Sequence, residues 1–160
     1  MTVNFKRLKF KNYQLHARWN VVVKVDGYEV PEGLYYSKDY EWVKIEGDKV
    51  RVGITDYAQK QLREVVYAEL PSPGTTIKQN EPYGTVESVK AVSDLVAPIS
   101  GTIEEVNTEV QSKPELLNED PYGKGWLLVV KPSNLQAELK NLMDFNAAVE
   151  WHKSLIKEGK

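Results

Sequence analysis

Short β-favouring runs follow one another along most of this sequence, and each is closed by a turn built from Gly, Pro, Asp or Ser. The turns include Asp26-Gly27, Glu46-Gly47-Asp48-Lys49, Pro71-Ser72-Pro73-Gly74 and Pro98-Ile99-Ser100-Gly101. Between them, residues 39–45, 50–54, 65–70, 102–106 and 125–130 read as strands, with Trp42 as a large apolar anchor. Helical signals are confined to the margins. Thr55-Asp56 can cap a short helix, Lys113-Pro114-Glu115 opens a single turn, and Ser133 is placed to cap a final helix. Leu135, Leu139, Leu142 and Met143 fall on one face of that helix. Strands at short spacing with helices only at the edges predict an all-β barrel or sandwich.

One stretch departs from purely structural logic. Outward from Lys90-Ala91 the sequence is nearly a palindrome, with Val89 facing Val92, Ser88 facing Ser93, Glu87 facing Asp94 and Val86 facing Leu95. This reads as a β-hairpin whose tip lacks the Asn-Gly or Gly-X that a two-residue turn prefers. That register also sets two carboxylates opposite each other, which costs a fraction of a kcal/mol. Lys90 is the sole Lys or Arg between Lys78 and Lys113, in a window holding Glu81, Glu87, Asp94, Glu104, Glu105 and Glu109. A solitary amine on a hairpin tip suits a group that is modified or presented. On the residues alone, a turn lysine kept for solubility is the more ordinary reading.

Composition narrows the chemistry. The chain has 160 residues, no Cys and two His, His16 and His152. Any redox-active sulfur must therefore come from a cofactor. A zinc cluster or a His-based triad at the central hairpin cannot be assembled from these residue types. The runs 21–23 and 127–130 are far too short to cross a bilayer, so no membrane partner is expected. Residues 25–132 hold 11 basic against 19 acidic residues. That balance argues against nucleic acid and for docking on basic protein surfaces. Residues 1–26 are different, with Lys6, Arg7, Lys9, Lys11, Arg18 and Lys24 but no acid before Asp26. A targeting segment, an added strand or arm, and an upstream translation artefact all fit this extension, and no function is assigned to it.

The segment 84–94, with Ala97-Pro98-Ile99-Ser100-Gly101 after it, resembles the lipoyl-attachment segment of the glycine cleavage system H-protein family. Further blocks are similar in order and spacing: Pro31-Glu32-Gly33-Leu34, Asp39-Tyr40-Glu41-Trp42, Val52-Gly53-Ile54-Thr55-Asp56, Val65-Val66-Tyr67-Ala68-Glu69-Leu70-Pro71, Asn118-Glu119-Asp120-Pro121-Tyr122-Gly123 and Gly125-Trp126-Leu127. The resemblance implies a barrel-sandwich hybrid over residues 27–132, like other lipoyl and biotinyl domains, with 133–160 as a helix packed on it. It implies lipoate joined to Lys90 as an amide, with Glu87 read by the attaching enzyme. It also implies a cleft in which Glu41, Asp39 and Asp94 hold the ammonium of the carried aminomethyl group.

The implied role is a non-catalytic, monomeric shuttle. It would work between a glycine decarboxylase (P protein) and a tetrahydrofolate-dependent aminomethyltransferase (T protein), with dihydrolipoamide dehydrogenase (L protein) reoxidising it. A lipoate ligase or lipoyl/octanoyl transferase would load it. The expected location is the cytoplasm, or the mitochondrial matrix in a eukaryote. The chain departs from the family pattern at Tyr40 and Tyr57, where His is usual. It departs again at Leu62-Arg63-Glu64, where a turn glycine is usual and where Arg63 predicts a slightly longer helix. An H-like lipoyl donor or scaffold is the competing role. A biotinyl carrier fits less well, because Lys90 is flanked by Val89 and Ala91 rather than by Met.

Overall fold

The computed structural model describes residues 13–15 and 21–159. In chain order these form β1 (Tyr13–Leu15), β2 (Val21–Val25), β3 (Tyr28–Pro31), β4 (Tyr35–Tyr36), β5 (Glu41–Glu46) and β6 (Lys49–Ile54). Helix α1 (Asp56–Leu62) leads to β7 (Val65–Glu69), β8 (Thr76–Ile77), β9 (Pro82–Ser88), β10 (Val92–Val96) and β11 (Gly101–Val106). The chain continues as α2 (Thr108–Ser112), α3 (Leu116–Glu119), β12 (Leu128–Pro132), α4 (Leu135–Leu139) and α5 (Phe145–Gly159). No helix among the described residues is long and apolar enough to cross a membrane.

The strands make a six-stranded sheet, β4-β5-β6-β12-β11-β8, and a three-stranded sheet, β10-β9-β7. These two close on one core, where Val43, Val50, Val52, Ile103, Leu128 and Val130 meet Val65, Ala68, Val86 and Leu95. Each fully buried aliphatic side chain of this kind stabilises the fold by about 1.5–3 kcal/mol. The arrangement is a barrel-sandwich of the lipoyl type. Trp42 is buried as expected, donating its indole N–H to the Pro121 carbonyl at 3.0 Å. Its cross-strand partner is Gly53, where an added Cβ would sit 2.6 Å from the Trp42 ring, so the glycine makes room for the indole.

A third sheet, β1-β2-β3, covers the other side of β4 and β5. There Val21, Val23, Val25 and Val30 pack with Tyr36 and Trp42 and with Ala148 and Val149 of α5. β2 and β3 pair across the Asp26-Gly27 turn, so a boundary drawn at residue 26 divides two paired strands. The readings placed on residues 1–12 and 16–20 lie outside the described residues.

Three local expectations are corrected. Helix α1 stops at Leu62 and does not lengthen: Arg63 caps it at φ 70°, ψ −146°. Asn118 causes this, because its side chain binds the Arg63 carbonyl (2.6 Å) and the Val65 N–H (2.9 Å), holding the chain in a turn. The final helix is two helices, and Asn134 rather than Ser133 precedes the first, without a side-chain cap. The chain breaks because Met143 forms a two-bond bridge to Tyr36 (2.8 and 2.9 Å), after which Asp144 caps α5 through the Ala147 N–H.

The third correction concerns the central hairpin. Glu87 pairs with Val92, Val86 with Ser93 and Thr85 with Asp94, a register two residues away from the palindromic one. Glu87 and Asp94 are therefore not opposite each other, and the tip is Val89-Lys90. Neither tip residue has positive φ. Ser88 makes the turn work instead. Its N–H donates to the Ala91 carbonyl (2.8 Å), and its hydroxyl accepts from the Lys90 and Ala91 N–H groups (3.2 Å each).

Candidate functional site

A cleft of about 420 Å³ opens between the start of β5, helix α1 and the free edge of β10. Its walls include Asp39, Tyr40 and Glu41 on one side, Tyr57 and Leu62 on another, and the stretch from Ala91 to Leu95 on the third. Ala91 directly follows the exposed Lys90, so the hairpin tip that bears the lysine adjoins the cleft wall. The three acids named from the family resemblance, Asp39, Glu41 and Asp94, thus line one cavity. Glu87 does not line it. That residue sits on the outer face of the three-stranded sheet, in a row with Tyr67 and Val92. Asp94 shares the outer face by register, beside Thr85, and reaches the cleft because β10 is an edge strand.

Glu41 is the chemical centre of the cleft. It is 1% exposed, and both carboxyl oxygens lie within hydrogen-bond distance of the Tyr83 hydroxyl, at 2.9 and 3.0 Å. Burial pushes its acidity well below that of an ordinary carboxyl, raising the pKa. The Tyr83 hydroxyl opposes this rise, the Asp39 charge adds to it, and the backbone of Val96 opposes it. The same burial, with Glu41 beside it, raises the Tyr83 phenol. Such a carboxyl favours its neutral form until a cation arrives, when pairing rewards ionisation.

Sequence reasoning missed Tyr83. It occupies the extra position of a β-bulge, since Gly84 pairs with Leu95 and Pro82 with Val96, leaving Tyr83 without a cross-strand partner. The bulge breaks the alternation and turns the phenol inward to Glu41. Nothing in a period-two pattern marks such a residue.

The two tyrosines at the positions where His is usual are stacked on each other, with centroids 5.6 Å apart, and Tyr40 stacks also on Trp151 at 5.4 Å. Tyr40 lies in the left-handed region (φ 71°), which is unfavourable for an aromatic residue, and these two stacks help hold it there. His152 of α5 packs edge-on against Tyr57, Tyr36 and Trp151. Its Nδ1 is 2.7 Å from the Ala148 carbonyl, and its Nε2 is buried without a hydrogen-bond partner. Burial lowers its pKa, with the Ala148 carbonyl and Asp56 acting the other way.

A barrel-sandwich that presents a lysine on a β-hairpin tip beside an acidic cleft defines a cofactor-carrier domain. Residues 34–155 match the glycine cleavage H-protein family, and the chain belongs to it. The glycine cleavage system H protein of Geobacillus thermodenitrificans is 52% identical over 129 residues, 81% of this chain and 98% of that protein. The probable glycine cleavage system H protein of Pyrococcus abyssi is 51% identical over 135 residues, 84% of this chain and 100% of its own. A crystal structure of the H protein from Mycobacterium marinum superposes with a TM-score of 0.71 at 40% identity, covering 77% of this chain and 98% of that one. The chain is accordingly a lipoate-carrying, non-catalytic component of the glycine cleavage system.

Proposed function

We propose that Lys90 carries lipoate as an amide, and that the protein shuttles the aminomethyl group of glycine from the decarboxylase to the tetrahydrofolate-dependent aminomethyltransferase. The dehydrogenase component then restores the disulfide. One observation supports this reading most: a fully buried carboxyl, Glu41, lies in a cleft whose wall adjoins an exposed lysine. When attached, lipoate supplies a dithiolane whose sulfurs accept electrons and cargo. The rest is done by the chain. The hairpin holds Lys90 on a defined tip, which keeps the arm at high effective concentration near each partner's site. The cleft has room for the end of the arm, and its walls cover part of what is held there. Glu41, oriented by Tyr83, gives an ammonium a buried counter-charge, with Asp39 and Asp94 adding negative potential at the rim.

Intact mass and peptide mapping of the protein from its native cell test the attachment. A lipoyl amide is expected on Lys90, and an unmodified Lys90 overturns the reading. In a reconstituted system, Lys90→Arg is expected to abolish glycine–bicarbonate exchange with an unchanged melting transition. Glu41→Ala is expected to speed formaldehyde release from the loaded carrier, and release at the parental rate would remove Glu41 from the role.

A further inference from the structure

Asp39, Tyr40 and Glu41 follow one another in the sequence, and all three line the cleft. An extended strand cannot do this, because its successive side chains point to opposite faces. The chain does it through the left-handed backbone of Tyr40 (φ 71°), the last residue of a tight turn that opens at Ser37. The Tyr40 N–H donates to the Ser37 carbonyl (3.2 Å), and the Ser37 hydroxyl accepts from the N–H groups of Asp39 (3.3 Å) and Glu41 (3.2 Å). The Tyr40 carbonyl accepts from the Thr55 N–H and the Glu41 carbonyl from the Ser37 N–H, both at 2.9 Å. Returning Tyr40 to an ordinary strand conformation would change the direction of Asp39 relative to Glu41.

A bulky residue at positive φ stays there only where its surroundings hold it. Here two rings do so. Tyr57 of α1 stacks on Tyr40 with 5.6 Å between centroids and 25° between planes, and Trp151 of α5 stacks on it at 5.4 Å and 24°. Tyr57 lines the cleft itself, so removing it would alter the cavity and the turn together. Trp151 stands outside the cleft lining and touches the turn alone. Its helix docks through the buried Ala148, Val149 and His152, so α5 does not need the indole to stay in place.

We infer that Trp151 is a positioning residue for the cleft: by stacking on Tyr40 it fixes the turn that aims Asp39 and Glu41 together at a small primary ammonium. The inference rests on the cleft reading above. It gives the C-terminal helix a part in the site, through Tyr40 and not by contact with what the cleft holds. The two carboxylates depend on it differently. Glu41 is also held by the Tyr83 hydroxyl, whereas Asp39 has its backbone tied to Ser37 and its direction set by the turn. Loosening the turn therefore moves the rim acid against a fixed buried one, and the pair no longer converges on one cation.

The test follows amide NMR shifts of the full unmodified chain titrated with methylammonium chloride, which stands in for the held group. The parent is expected to show saturable shifts at Asp39, Tyr40 and Glu41. Trp151→Leu and Trp151→Met, which keep an apolar side chain but no ring, are each expected to weaken methylammonium binding about fivefold, the size of one lost aromatic pair. Trp151→Phe keeps a ring and is expected to bind as the parent does. Lys157→Ala, at an exposed position of the same helix, is expected to have no effect. Residual dipolar couplings over residues 37–41 report the turn itself, and are expected to change in the two ringless variants and to hold in Trp151→Phe. Melting transitions confirm that each variant is folded. Parental affinity in both ringless variants, or unchanged couplings over the turn, overturns the positioning role and leaves the cleft reading standing. A parent without saturable shifts overturns the cleft reading and this inference together.

Discussion

At Arg63 the backbone adopts φ 70° and ψ −146°, a conformation that costs a residue with a Cβ about 1–3 kcal/mol and costs glycine almost nothing. The surroundings enforce it. The Arg63 N–H donates to the Gln59 carbonyl (2.9 Å), its carbonyl accepts from Asn118, and the next strand begins two residues later at Val65. The side chain itself is exposed, so little is lost by removing it. Arg63→Gly is therefore expected to stabilise the protein by about 1 kcal/mol, read as a higher denaturant midpoint at unchanged m-value. An unchanged or lower midpoint would mean that the Arg63 side chain contributes packing that offsets its backbone conformation. Asn118→Ala is expected to go the other way, because it frees the Arg63 carbonyl and the Val65 N–H together.

The hairpin of β9 and β10 shows how one element can be recognised while its geometry is read wrongly. Its two strands and exposed lysine were visible in alternating residues, but a period-two pattern cannot separate registers that differ by two. Every side chain keeps its face under such a slip. The palindrome favoured one register, and the Ser88 hydroxyl selects the other by satisfying the Lys90 and Ala91 N–H groups. Ser88→Ala is thus expected to speed hydrogen exchange at those two amides, with a small loss of stability of about 0.5–1 kcal/mol. Exchange at the parental rate would show that the backbone alone fixes the tip. Other elements were legible for clear reasons. Thr55 caps α1 through the Ala58 N–H (3.1 Å), and Trp42 fills the position that its size demanded. What escaped depends on distant partners. Asn118 ends α1, Met143 breaks the last helix by bonding Tyr36, and the bulge that aims Tyr83 at Glu41 has no local sign. The cleft acids were named through the family resemblance, since nothing in the alternation of β5 separates a buried Glu41 from an exposed strand residue.

Across the whole molecule two buried ionisable groups pull stability in opposite directions with pH. Glu41 has a folded-state pKa raised by burial, so the folded protein holds a proton that the unfolded chain has released. Its contribution falls as pH rises from about 4.3, the unfolded value, toward the folded one. His152 has a folded-state pKa lowered by burial, so the unfolded chain binds the extra proton. Its contribution is lost as pH falls from about 6.5 toward the folded value. Each slope is limited to about 1.4 kcal/mol per pH unit, and the two contributions run in opposite directions, so they offset each other wherever their windows overlap. Among the described residues the groups facing His152 are the rings of Tyr36, Tyr57 and Trp151, with Asp56 the acid whose charge favours its protonation, and no carboxylate among them pairs directly with the imidazole. Substituting either group should expose the slope of the other. Glu41→Gln, which keeps an acceptor for Tyr83, is expected to gain on the parent as pH rises and to lose stability more steeply on acidification below pH 6.5. His152→Phe is expected to gain on the parent as pH falls, leaving a variant whose stability declines as pH rises above the ordinary carboxyl range. Urea midpoints at half-unit steps from pH 4 to pH 8 measure both difference curves. Curves of the same sign would mean that one of the two groups is solvated in the folded protein, and the cleft or the α5 packing would have to be redrawn accordingly.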